Sequence, residues 1–147
     1  MNAERRWRTL HSLVYDIAAI ALLHFMIQAK ADVSEPVMMI GFFLILMLFR
    51  VLAKRGAPAW GAALAAALVS PVLTALIEAA WYALVRHIDF WEVLDANIDP
   101  DMAFRPSAYV AAAGVVFFAV VLARLSPAPR RAAVIAGPSV QPSRIRT

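Results

Sequence analysis

Polar residues recur at four-residue steps within two otherwise apolar stretches of the chain. One row consists of Ser12, Asp16, His24 and Gln28, and the other consists of Ser70, Thr74, Glu78, Tyr82 and Arg86. Residues four positions apart lie on the same side of an α-helix, so each row predicts a helix with one polar face. In the first row, the apolar residue Ile20 stands between Asp16 and His24, where the four-residue spacing would place another polar residue.

The apolar stretches themselves are long enough to cross a lipid bilayer, which takes about 20 helical residues. We place four such helices near residues 10–29, 36–53, 59–85 and 107–125. The turns that join the first three are short, and neighbouring helices should therefore be antiparallel. The predicted fold is an all-α integral membrane protein, an up-down bundle of four transmembrane helices.

Composition supports this class of protein. Hydrophobic residues make up 63% of the chain and charged residues 16%, and the mean hydropathy is +0.71. These values are typical of a membrane protein rather than a soluble domain. The chain contains no cysteine, which excludes disulfide bonds and thiolate metal ligands within it.

The distribution of charge predicts the orientation. Basic residues are concentrated in residues 1–9, in the turn after the second helix and in residues 126–147, whereas acidic residues collect in the loop 86–106. The positive-inside rule then places both termini on the cytoplasmic side of the inner or plasma membrane. The net charge of +4 reflects this topology and contact with anionic lipids, so we predict no binding to nucleic acid.

Two terminal segments complete the domain organisation. Residues 1–9 are predicted to be a basic cytoplasmic N-terminus, and residues 10–125 the membrane domain. Residues 126–147 combine four prolines with arginines and small residues, which is typical of a cytoplasmic tail without a packed element.

Ionisable groups inside a bilayer are costly, and they are therefore candidate functional residues. Counting depth along the helices predicts that Glu78 meets His24 in the outer half of the membrane and that Asp16 meets Arg50 near the cytoplasmic end. The candidate proton or ion relay comprises Glu78, His24, Asp16, Arg50, Thr74, Ser70 and Tyr82. Alternatively, the polar rows only join helices through hydrogen bonds worth about 1 kcal/mol each.

The outer loop, residues 86–106, contains a short amphipathic stretch that predicts a helix lying in the membrane interface. Asp95, Asn97, Asp99 and Asp101 follow at every second position, as in the first half of an EF-hand calcium loop. Pro100 stands where that loop needs a glycine, and no carboxylate closes the pattern. These four residues are therefore only weak candidates for a divalent metal site.

Neither catalytic motifs nor a cofactor site are evident in the sequence. His11 and His24 lie about 20 Å apart on one predicted helix, too far to hold one heme between them, and no cofactor is predicted. The protease, hydrolase and nucleotide-binding motifs are absent, which favours a protein that is not an enzyme.

Two functions remain as hypotheses. The first is an accessory, scaffold or assembly subunit of a larger membrane complex, with the lipid bilayer and other membrane subunits as partners. The alternative is a proton- or ion-coupled transporter or channel component that acts as a homo-oligomer through Glu78, His24 and Asp16. A membrane enzyme that uses the acidic outer loop has the least support.

Overall fold

The computed structural model describes residues 3–29, 32–99 and 105–126, with side chains for Leu10 and from residue 13 onward. These ranges fold into helices without a strand. The elements are α1 (Ala3–Gln28), α2 (Ser34–Lys54), α3 (Ala59–Arg86), α4 (Phe90–Ile98) and α5 (Pro106–Leu125). Apart from Ser126, the predicted tail lies outside the described residues.

Three of these helices are long and apolar enough to cross a membrane, namely α2, α3 and α5. In α1 the apolar part is shorter, Leu13–Gln28. The prediction of a helical multi-pass membrane protein is thereby confirmed. The fourth crossing, the up-down order and the orientation stay predictions.

The observed helices begin and end close to the predicted positions because prolines and turns define them. Pro58 directly precedes α3, and Pro106 is the first residue of α5, where its missing N–H costs no helical hydrogen bond. Gly56, between α2 and α3, has a φ of 88°, which glycine adopts without strain. The first helix differs from its prediction, since α1 already begins at Ala3 and takes in most of the expected basic N-terminus.

The centre of the fold is α3, which packs mainly against α5 and α2, while α4 lies on α3. Close approach of α3 and α5 depends on Gly114, because a Cβ atom there would lie 3.0 Å from Ala67 Cα and 3.1 Å from Ala67 O. Pro71 lacks the N–H that would bond the same Ala67 carbonyl within the helix. The proline nevertheless lies within a helix that runs unbroken from Ala59 to Arg86.

The first helix is the least attached element. Its C-terminal end contributes Met26 to a small cluster with Val33 and Val37, against which Trp81 of α3 packs. Most other described side chains of α1 are exposed, and α1 packs chiefly against α2. The second cluster, Ile45, Ala66 and Val110, joins α2, α3 and α5 without it.

Candidate functional site

The carboxylate of Glu78 is the centre of a polar network at the junction of α3, α4 and α5. Its side chain is fully buried. Asn97 Nδ2 donates a hydrogen bond to Oε2 at 3.0 Å, and Arg105 Nη1 forms an ion pair with Oε1 at 3.3 Å. Each carboxylate oxygen therefore has a partner, and the negative charge is compensated where water does not reach it.

Asn97 connects the three helices. Its Nδ2 also donates to Val93 O at 3.0 Å within α4, and its Oδ1 accepts a hydrogen bond of 2.7 Å from Ser107 Oγ at the start of α5. Thus one amide binds the side chain of Glu78 and the side chain of Ser107. The network fixes α4 on the ends of both neighbouring helices.

Local sequence explains why α4 forms at this place. The Asp89 side chain accepts hydrogen bonds from Trp91 N at 2.9 Å and Glu92 N at 3.1 Å. This is a helix N-cap, in which a carboxylate satisfies free N–H groups and interacts favourably with the helix dipole. The short helix expected in the outer loop is therefore present, and near its other end it carries Asn97, which binds Glu78.

Arg105 acts on a second carboxylate as well. Hydrogen bonds from Ser34 lower the pKa of Asp32, and the positive charge of Arg105 lowers it further. Ser34 N donates to Asp32 Oδ1 at 2.9 Å. Asp32 precedes α2 and Arg105 precedes α5. Their electrostatic attraction therefore acts between the start of α2 and the start of α5.

The predicted pair of Glu78 with His24 is not formed. His24 is exposed on α1, and its Nε2 lies 3.1 Å from Gln28 Nε2. The prediction compared only the depths of Glu78 and His24 along their helices, and these depths are similar. It did not take account of α4 and Arg105, which reach the carboxylate from the outer loop.

The predicted pair of Asp16 with Arg50 is not formed either. Arg50 donates to the hydroxyl of Tyr15, and its guanidinium lies 4.2 Å from the centre of the Tyr15 ring. Asp16 is exposed. Neighbouring residues point about 100° apart around a helix, so the side that faces α2 presents Tyr15 and turns Asp16 away.

The remaining residues of the row on α3 form no continuous chain of hydrogen bonds with Glu78. Thr74 is buried, and its Oγ1 donates to Ser70 O at 2.7 Å. The Oγ atom of Ser70 is buried without a partner among the described atoms. Tyr82 is half-buried and packs against the cluster of Met26, Val33 and Val37.

Three of the four weak metal candidates lie in the described part of the chain. Asp95 and Asn97 lie on α4, where side chains two positions apart point in nearly opposite directions. The amide of Asn97 is engaged by Glu78 and Ser107, and Asp101 lies outside the described residues. In the described ranges, no three His, Cys, Asp or Glu side chains are grouped as metal ligands would be.

Sequence reasoning missed the roles of Arg105 and Ser107 at this site. For Arg105, the available signal was its place after a run of acidic residues and directly before the proline that begins α5. A cation in this position has a membrane carboxylate as a natural partner.

Comparison with known proteins gives a partial similarity. No family model and no solved structure matches the chain. Over 47 residues it is 43% identical to the heme-binding subunit MsrQ of protein-methionine-sulfoxide reductase from Rhodospirillum rubrum. The matched segment covers 32% of this chain and 23% of that protein. It is 39% identical over 54 residues to the MsrQ of Xanthomonas euvesicatoria, covering 37% of this chain and 25% of that protein. The matched residues thus span about a quarter of the length of these curated relatives.

Proposed function

We propose that this chain is an accessory subunit of a redox complex in the inner membrane. The observation that carries the proposal is the similarity to MsrQ, whose name describes a heme-binding subunit of a reductase. The long apolar helices α2, α3 and α5 support a membrane location. In this proposal α1 is the fourth membrane helix of an up-down bundle, and both termini are cytoplasmic.

The outward-facing polar residues of α1 support the role of a subunit. Asp16, His24 and Gln28 are all exposed in this chain. In a bilayer these groups would contact lipid, and an ionisable group at the centre of a membrane helix costs about 2.5–3.5 kcal/mol even on the insertion scale. A neighbouring membrane subunit that covers α1 removes this cost.

His24 is the residue that this chain can offer to a heme. His24 is exposed on α1 and its Nε2 lies 3.1 Å from Nε2 of the exposed Gln28, so a movement of the Gln28 side chain would leave this nitrogen open to a ligand. An imidazole nitrogen is a common ligand of heme iron. When bound, a heme supplies one-electron transfer.

Any further ligand to such a heme would come from another residue or from a partner subunit. His11 is also on α1, about 20 Å along the helix from His24. His87, at the end of α3, is exposed. We therefore propose that His24 would hold a heme together with a partner subunit.

The experiment is to purify the tagged full chain from membranes in mild detergent, with and without co-expression of its redox partners, and to record the heme absorption spectrum. We expect a partner to copurify and heme absorption to appear in the complex. His24→Ala should abolish this absorption, whereas the matched control His87→Ala should retain it. A chain that copurifies with neither heme nor a redox subunit would contradict the proposal.

Transport receives no support from these observations. The relatives are named as heme-binding subunits of a reductase. The carboxylate of Glu78 has both oxygens bound by groups of the outer end of the fold. We therefore do not retain the transporter hypothesis.

A further inference from the structure

A cleft between α1 and the end of α2 combines two cations with an apolar wall. Its volume is about 560 Å³, and it is lined by Tyr15 of α1 and by residues of α2 from Leu46 to Lys54. The ionised side chains among the described lining residues are Arg50 and Lys54, and no carboxylate is among them. The cleft is thus suited to an anion that also carries an apolar part.

Arg50 is held in place for such a ligand. Its guanidinium lies 4.2 Å from the centre of the Tyr15 ring, and it donates one hydrogen bond to the Tyr15 hydroxyl. A guanidinium has five N–H donors, so donors remain for a ligand. Because stacking already orders this side chain, binding an anion costs less conformational entropy than it would for a free arginine.

The position along α2 indicates the kind of anion. Arg50 and Lys54 lie in the last turns of a helix that is long enough to cross the membrane, so they are level with lipid headgroups. Leu46 is one turn before Arg50, about 6 Å deeper in the bilayer, and is 54% exposed. From the headgroup level toward the bilayer centre, the cleft therefore presents first the two cations and then the apolar wall. A phospholipid presents its phosphate and its acyl chain in the same order.

A second cleft of similar volume, beside α4, has the opposite character. It is lined by Glu92, Asp95 and Asp99 together with Arg105, and Arg105 is already paired with Glu78. An anion would be repelled there. The preference for an anion thus distinguishes the cleft between α1 and α2 from the cleft beside α4.

We propose that the cleft between α1 and α2 binds one anionic phospholipid, with the phosphate on Arg50 and Lys54 and an acyl chain along Leu46 and Met47. The bound lipid contacts both helices and so supplements the sparse packing of α1. This site is independent of the heme assigned above, because it uses neither His24 nor a redox partner.

The test uses the full chain in mild detergent, with native mass spectrometry to count retained lipids at increasing phosphatidylglycerol or phosphatidylcholine. We expect one phosphatidylglycerol to be retained in preference to phosphatidylcholine. Lys54→Gln should weaken this binding about fivefold and Arg50→Gln about tenfold, as expected for the loss of one headgroup contact each. Arg124→Gln is the matched control, since it removes the same charge from the last turn of α5, and it should leave the binding unchanged.

Two further arms define what is bound. Glycerol phosphate shares the anionic group but has no acyl chain, and it should fail to displace the lipid. Tyr15→Phe keeps the ring and removes the hydroxyl that accepts from Arg50, so it should fold normally and weaken phosphatidylglycerol binding about twofold to threefold.

Equal retention of both lipids, displacement by glycerol phosphate, or an equal loss in Lys54→Gln and Arg124→Gln would each overturn the proposal. If Arg50→Gln fails to fold, Lys54→Gln and Tyr15→Phe decide the outcome.

Discussion

The polar rows of α1 and α3 have the same spacing in the sequence and opposite surroundings in the structure. Ser70, Thr74 and Glu78 are fully buried, whereas Asp16 and His24 are exposed. The helix α3 is enclosed by α2, α4 and α5, while α1 packs mainly against α2. A row of polar residues at four-residue steps therefore indicates that a helix face needs a polar partner. It does not indicate whether this partner lies in the same chain.

The largest effect should come from removing the cation of the buried network. Arg105→Ala leaves the carboxylate of Glu78 with Asn97 as its hydrogen-bond donor in a place that is closed to water. Breaking a buried ion pair in this way costs about 3–5 kcal/mol. Reversible unfolding of the chain in detergent, followed by circular dichroism, measures the loss in the free energy of unfolding.

The reverse substitution should be milder, and it provides the control. Arg105 has a side chain that is 32% exposed, so in Glu78→Ala water can solvate the unpaired cation. The double variant Arg105→Ala with Glu78→Gln should recover part of the stability lost in Arg105→Ala, since the remaining side chain is neutral. If Arg105→Ala costs no more than Arg124→Ala at the exposed end of α5, the network does not stabilise this end of the fold.

A smaller loss is expected where α5 meets α3. In Gly114→Ala the new methyl group would lie 3.0 Å from Ala67 Cα, a backbone atom that moves only with its helix. Overpacking of this kind costs about 1–3 kcal/mol. Gly61→Ala is the control, because the nearest atom is in the Pro58 ring at 3.3 Å. The same unfolding measurement should show a loss for Gly114→Ala alone, and equal behaviour of the two would mean that α3 and α5 are not closely packed there.

Much of the fold could be predicted because simple local signals determine it. The observed helices Ser34–Lys54, Ala59–Arg86 and Pro106–Leu125 follow apolar runs that are limited by charges, prolines and a glycine turn. Such signals depend on neighbours in the sequence alone. The extension of α1 to Ala3 could not be predicted because residues 3–9 are mostly polar, and hydropathy does not register a helix that continues beyond its apolar part.

The partners of the site residues could not be predicted for the same reason. Depth arithmetic treats helices as parallel rods, and it compared Glu78 only with residues of other membrane helices. The actual partners, Asn97 and Arg105, lie 19 and 27 residues further along the chain, in and after α4. Their position depends on how the outer loop folds back, which helix periodicity does not specify.

The hydroxyl groups of the buried row should matter little. Ser70 Oγ is buried without a described partner, and replacing an unsatisfied polar group by an apolar one is neutral or stabilising. We expect Ser70→Ala to change the free energy of unfolding by less than about 1 kcal/mol, with no loss of stability. A loss as large as that of Gly114→Ala would indicate that Ser70 has a partner outside this chain, and burial in α3 would then no longer imply a site complete in itself.

The smallest effect on stability should come from the exposed row of α1. His24 bonds only Gln28 among its described partners, so His24→Ala should change the unfolding free energy of the isolated chain by less than about 0.5 kcal/mol, as for other surface positions. Under the proposed function, the same variant should lose heme absorption in the purified complex, because the proposed role of the imidazole is to bind heme there and not to stabilise the fold. Gln28→Ala is a matched control on the same face of α1: it removes the hydrogen bond to His24 but keeps the imidazole, and it should retain the heme.

If His24→Ala destabilises the isolated chain as strongly as Arg105→Ala does, the exposed face of α1 is packed within one chain, and the contrast between the two rows is wrong. A stable His24→Ala chain that no longer binds heme would instead show that the two rows differ in where their partner lies, inside the chain for α3 and outside it for α1.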